Sequence, residues 1–203
     1  MGFAVDRAAF AETMKAKFKA APNATQSRGY NALFRYWETS TLNDPRWLAY
    51  VLATVYHETG GRIEAVREGF CADDDCSIRA VTRLFDRGKI KRNYALPHAN
   101  GHSYFGRGLV QITHGYNYER LGKALGMGRQ LYDNPSLALE LDISVKITFV
   151  GMVEGLFTAK RLADYFNDRK TEWRRARQIV NALDCAGDIA AHGRKFLACV
   201  TDD

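Results

Sequence analysis

What most constrains this chain is the spacing of its apolar residues, which return every three to four positions through most of its length. That period lays them along one face of an α-helix, whereas a half-buried strand needs every second position. Phe10, Met14 and Phe18 make a first stripe; Tyr30, Leu33, Phe34 and Trp37 make a second, with Thr25 placed to cap it. A third helix opens at Asn43-Asp44-Pro45, cap residues followed by proline at the first helical position. It carries Leu48, Val51, Leu52 and Val55 on one face and stops at Gly60-Gly61. A further helix near 77–87 is closed by Gly88, residues 88–108 are irregular, and extended character is confined to LVQIT at 109–113. Helices resume at about 116–125, 136–157, 171–183 and 188–200. With no repeat, low-complexity tract or linker, 1–203 reads as a single mainly α domain, two lobes being the alternative, holding a small extended element beside a cleft.

Composition narrows the functional classes. The chain is 46% hydrophobic, enough to bury a core, yet no segment approaches the roughly 18 unbroken apolar residues of a membrane span. Membrane insertion is not expected. The first 21 residues intersperse charges among apolar positions and lack the layout of a secretory signal, which predicts synthesis in a cytoplasm and a separate route out. Lys and Arg number 29 against 23 Asp and Glu, a net charge of +6 that draws the surface toward polyanions. The basic residues cluster only at RGKIKR (87–92) and WRRAR (173–177), with no nucleic-acid motif beside them, so nucleic acid is not expected as a partner. Cysteines 71, 76, 185 and 199 form no C-x-x-C pair and predict no zinc site. Cys71 and Cys76 flank the ADDD turn and could bridge in an oxidising compartment; free thiols are the default expectation.

One residue breaks the apolar logic. Glu58 lies three positions after Val55 and seven after Val51, so a carboxyl ends the inward stripe in the helix's last turn. Desolvation there and the negative end of the helix dipole both oppose its charge, which predicts an acid that holds its proton. Glu68, beside Arg67 and before Gly69 in a wetter loop, is expected to stay ionised. Two carboxyls in contrasting environments suit an acid and a base acting on one bond, the arrangement that glycoside cleavage requires. Glu64 competes for the second role.

The segment YFGRGLVQITHGYNY (104–118) interleaves amides and hydroxyls with aromatic rings. Gly-Arg-Gly allows close backbone approach, Gln111 and Thr113 fall on one side of the extended run with Ile112 on the other, and Asn117 follows among tyrosines. Such a surface suits a sugar chain, hydrogen-bonded at its hydroxyl and N-acetyl groups and stacked on ring faces. A phosphate-binding G-x-G-x-x-G would need glycine at 111, where Gln stands.

HETGG with a second Glu, then YFGRGLVQITHGYNY, then GMVEGLFTAKRLADYF and ARQIVNALD, in that order, resembles the family 19 glycoside hydrolases, chitinase-like, in their phage and prophage endolysin branch. The resemblance implies an α+β, lysozyme-like, mainly helical fold with a deep substrate cleft and an inverting mechanism that uses no cofactor or metal. By position it makes Glu58 the general acid, Glu68 the base that activates water, and Thr113 the residue that holds that water. His57, Tyr104, Gln111, Asn117 and Asn181 would bind substrate, and Asp184 would join the charge network behind the acid. Ala182 and Ala159 replace glycines of the family pattern, and the loop between the glutamates is shorter than in plant chitinases, which keeps Glu64 in play.

The basic surface points to peptidoglycan, because the bacterial wall is anionic. The expected reaction is cleavage of the β-1,4 bond between N-acetylmuramic acid and N-acetylglucosamine by a monomer, with chitin as the second substrate. Without a signal, the resemblance implies release through a holin, or delivery as an effector with an immunity protein as partner. Two other classes compete. A zinc amidase or peptidase would draw on His57, His98, His102 or His114, but Gly61 stands where H-E-x-x-H needs its second His. A non-catalytic wall-binding module would keep the aromatic surface without turnover.

Overall fold

The structure, a computed structural model, describes residues 1–201. In chain order its regular elements are α1 (Arg7–Phe18), α2 (Ala24–Thr39), α3 (Pro45–Glu58), β1 (Val66–Arg67), α4 (Asp74–Asp86), β2 (Arg107–Gly108), α5 (Gly115–Ala124), α6 (Gln130–Asp133), α7 (Leu141–Glu154), β3 (Phe166–Asn167), β4 (Lys170–Thr171) and α8 (Ala186–Val200). The protein is mainly α, as the apolar period predicts. It forms two compact units, one of residues 1–64 with 148–201, the other of 65–147.

In the first unit the three expected N-terminal helices form on the expected faces. Leu48, Val51, Leu52 and Val55 of α3 are all fully buried, and α3 packs along α8. Phe10 meets Tyr30 and Phe34 edge-on at 5.0 and 4.9 Å, and Phe196 of α8 completes the ring cluster. Each such side chain contributes roughly 1.5–3 kcal/mol on burial. Asp44 caps α3 ahead of Pro45, as the sequence indicates. The cap of α2 is Asn23, not Thr25: its side chain accepts from Gln26 N at 2.9 Å while Gln26 returns a bond to Asn23 N at 2.9 Å. That reciprocal box satisfies two backbone donors, which starts the helix earlier.

The expected helix at 171–183 does not form. In its place β3 and β4 pair antiparallel, Phe166 with Thr171, and a single 3-10 segment follows at Arg175–Ile179. Trp173, Ala176 and Ile179, all buried, recur every third residue, the period of a 3-10 turn and not of an α-helix. The expected helix at 136–157 likewise divides, into a 3-10 segment Pro135–Leu139 and α7.

In the second unit β1 pairs antiparallel with β2, Val66 opposite Gly108 and Arg67 opposite Arg107. The LVQIT run is not a strand. Positive φ at Gly108 (94°) and Gln111 (53°) folds it back so that Ile112 bridges to Arg107. Burial alternates only over 111–113, Ile112 inside and Gln111 and Thr113 half-buried, while Leu109 and Val110 are both buried. Beneath the hairpin Arg107 is almost fully buried: its Nη2 donates to Asp74 Oδ2 at 2.8 Å, its Nη1 to Ser103 O at 2.9 Å, and its guanidinium lies 3.6 Å from the Phe105 ring centroid. Arg67 holds the other oxygen of Asp74 at 2.7 Å. Cys71 and Cys76 are bonded, against the default expectation of free thiols. The turn and the capping of α4 by Asp73 bring their Cα atoms to 5.6 Å, inside the bridging range. Cys185 and Cys199 are free.

Candidate active site

Glu58 owes its place to how α3 ends. Gly60 and Gly61 take positive φ (56° and 79°), Gly61 N donates to Tyr56 O at 2.7 Å, and the Thr59 hydroxyl donates to Val55 O at 2.8 Å. The helix therefore stops with its carboxyl on the last turn, where the side chain is 16% exposed. The structure gives it a partner the local sequence does not show: Arg177, 3% exposed, donates from Nη1 to Glu58 Oε1 at 2.5 Å. Arg177 Nε donates to the main-chain oxygen of Asp184 at 3.1 Å, so Asp184 joins the charge network behind Glu58 through its backbone rather than its carboxylate. Arg177 belongs to the WRRAR cluster, and nothing in that run distinguishes it from its exposed neighbours. Of the other residues of this unit assigned by resemblance, His57 is half-buried on the same turn as Glu58, and Asn181 is exposed with its Oδ1 accepting from Ala182 N. Ala159 holds φ 61° where the family pattern has glycine.

Glu68 is held differently. It follows β1 in a short 3-10 segment, and both its oxygens accept hydrogen bonds within the second unit: Oε1 from the Tyr94 hydroxyl at 2.5 Å, Oε2 from Gly106 N at 2.7 Å. Gly106 permits this by lacking a Cβ, which would stand 2.8 Å from Gln111 Oε1 and 3.3 Å from Glu68 Oε2. Burial is the chief cause that pushes the Tyr94 hydroxyl well above its ordinary range, and the bond to Glu68 adds to it, so Tyr94 stays a donor. Glu64, the competitor, is exposed and makes no hydrogen bond or ion pair among the described residues. Sequence gave no signal for Tyr94, which lies 26 positions from Glu68 in the irregular stretch.

The remaining motif residues lie in the second unit, Gln111 beside Glu68 at Gly106. Gln111 donates from Nε2 to Val66 O at 2.8 Å and to Gly108 O at 3.0 Å, clamping the hairpin. Tyr104 is fully buried, its hydroxyl donating to Tyr132 O at 2.9 Å and accepting from Asn100 at 2.7 Å. Asn117 donates to Thr113 O at 2.8 Å and accepts from Arg120 at 2.8 Å. The half-buried Thr113 keeps its hydroxyl without a protein partner among the described residues.

Comparison with known proteins places these motifs in context. The sequence model of the family described as chitinase class I, glycoside hydrolase family 19, matches residues 7–153, a span holding Glu58, Glu68, Gln111, Thr113 and Asn117. Endochitinase 3 of Solanum tuberosum is 37% identical over 92 residues, 45% of this chain and 28% of its own length. Basic endochitinase of Vitis vinifera is 35% identical over 115 residues, 54% of this chain and 34% of its own. The chain thus spans about a third of the length of these relatives. Among solved structures, chitinase C from Streptomyces griseus HUT6037 shares 25% identity, covering 75% of this chain and 67% of that one, with a TM-score of 0.45.

Proposed function

Because the chain belongs to the chitinase class I family, glycoside hydrolase family 19, we propose that it is an inverting glycosidase that cleaves β-1,4 bonds of peptidoglycan, with Glu58 as general acid and Glu68 as general base. The observation that carries this reading is the contrast among the three candidate carboxylates. Glu58 and Glu68 each sit among dedicated partners, Arg177 for the one and Tyr94 with Gly106 N for the other, whereas Glu64 lies free on the surface. Carboxylates that only solvate a surface do not need such settings.

In the proposed reaction Glu58 gives its proton to the glycosidic oxygen as the bond to the anomeric carbon breaks. Glu68 takes a proton from water, which attacks that carbon from the opposite face and inverts it. Donors on both oxygens of Glu68 fix the orientation of its carboxylate. The unengaged hydroxyl of Thr113 is suited to hold the water. Glu58 must arrive protonated, so Arg177 acts chiefly to orient it, and after transfer it stabilises the carboxylate that remains.

The net charge of +6 supports the anionic wall as substrate. Chitin is the second reading, favoured by the endochitinase names of the relatives. Action on the wall after synthesis in a cytoplasm, through a holin or as an effector with an immunity protein, belongs to the same proposal. Mass analysis of digested peptidoglycan tests it: new N-acetylmuramic acid reducing ends support the assignment, while intact glycan strands alongside cleaved chitin oligomers reject it.

A further inference from the structure

A cavity of about 620 Å³ in the second unit is lined by Arg92, Tyr94, His98, His114, Tyr116 and Tyr132. Its size lies within the range of small-ligand sites. It adjoins Glu68, since the Tyr94 hydroxyl that reaches Glu68 belongs to a ring in the cavity wall. The wall is built of flat surfaces. The His114 and Tyr116 rings stack at 5.4 Å with 12° between their planes, Tyr94 lies 5.0 Å from His114, and Tyr132 is backed by Tyr104 at 4.9 Å. Tyr116 is 65% exposed beside the cavity.

The charges in the lining are few. The one carboxylate in the lining, Glu119, is paired with Lys123 at 2.9 Å and Arg129 at 3.4 Å. Arg92 is exposed and makes no hydrogen bond or ion pair among the described residues, so its guanidinium is free to pair an incoming anion. The field is felt nearby: burial foremost holds the His114 pKa below its ordinary value, Glu68 opposes this, and His98 and Arg92 add to the lowering. A neutral amino sugar would use the rings and leave Arg92 idle. A sugar bearing a carboxylate would use both.

We propose that this cavity is a subsite for an N-acetylated amino sugar carrying a carboxylate, with Arg92 pairing the acid and Tyr116 stacking on the sugar face. The proposal rests on the glycosidase reading and deepens it, because N-acetylmuramic acid carries a lactyl carboxylate and N-acetylglucosamine does not. The site would therefore distinguish wall glycan from chitin at a position next to the base.

The test titrates the full chain with N-acetylmuramic acid and, separately, N-acetylglucosamine, following binding by NMR. The acidic sugar should bind about threefold more tightly, as one solvent-exposed ion pair provides. Arg92→Gln should erase that preference, and Tyr116→Ala should weaken both sugars. Equal affinities, no binding of either sugar, or a preference that survives Arg92→Gln would each overturn the subsite. Acid-selective binding by a chain that releases no wall fragments supports the subsite and counts against the hydrolytic reading. Hydrolysis without acid selectivity overturns the subsite alone.

Discussion

Arg177 Nη1 lies 2.5 Å from Glu58 Oε1, joining two side chains 119 positions apart in sequence, both largely buried. Removing the cation leaves a desolvated carboxyl without its partner, a situation that costs several kcal/mol where burial is complete. With Glu58 still 16% exposed, Arg177→Met is expected to lower unfolding free energy by roughly 2–3 kcal/mol in urea titration, and to reduce turnover more than substrate affinity.

Glu58→Gln keeps the shape of the side chain and its contact with Arg177 while removing the transferable proton. Activity on peptidoglycan suspensions should fall by at least about a thousandfold, judged against the effect of losing a general acid, with circular dichroism unchanged. Wild-type-like clearing by that variant would refute the acid assignment.

The Tyr94 bond to Glu68 is testable separately from the carboxylate itself. Tyr94→Phe retains the ring against His114 and deletes only the donor to Oε1. A bond to a charged group contributes about 1.5–3 kcal/mol, so kcat should drop at least about tenfold with KM little changed. An unaltered kcat would mean that Gly106 N alone suffices to orient the base.

At Gly106 the constraint is space. A methyl group 2.8 Å from Gln111 Oε1 and 3.3 Å from Glu68 Oε2 must displace one of them. Gly106→Ala should cost about 1–3 kcal/mol of stability and most of the activity, whereas an exposed glycine such as Gly187, whose added Cβ meets nothing, should tolerate the same change.

Acid should weaken the second unit through Asp74. Burial pushes its carboxyl up, but the hydrogen bonds and charges of Arg67 and Arg107 together outweigh that and hold it below the ordinary value. A carboxylate with a lowered folded pKa contributes stability that is present above its unfolded pKa of about 3.9 and lost as pH falls through the folded one. Thermal unfolding from pH 5 downward should show this loss, and Asp74→Asn should flatten it.

The helical stripes were legible because each helix carries its own instructions: apolar residues at a 3.6 period, a cap before and glycine after. The same locality explains the misses. Thr25 reads as well as Asn23 until Gln26 closes the box on one of them, and 171–183 reads as a helix until three buried residues settle into a three-residue repeat. In residues 111–113 the alternation in burial was legible, but the positive φ at Gln111 that turns the chain was not, since a non-glycine residue holds that conformation only when its surroundings impose it.

By itself the sequence determined that the chain is mainly α, that α3 ends in a carboxyl at Glu58, and that Glu68 and Thr113 stand in motifs of one enzyme family, since all of these rest on local order along the chain. Tertiary structure alone decided which partners those carboxyls meet. Arg177, Tyr94 and the amide of Gly106 come from distant segments, and Glu119, in the same cavity wall as Arg92, is paired with Lys123 and Arg129. Charge balance depends on distance in space, and linear order does not encode it.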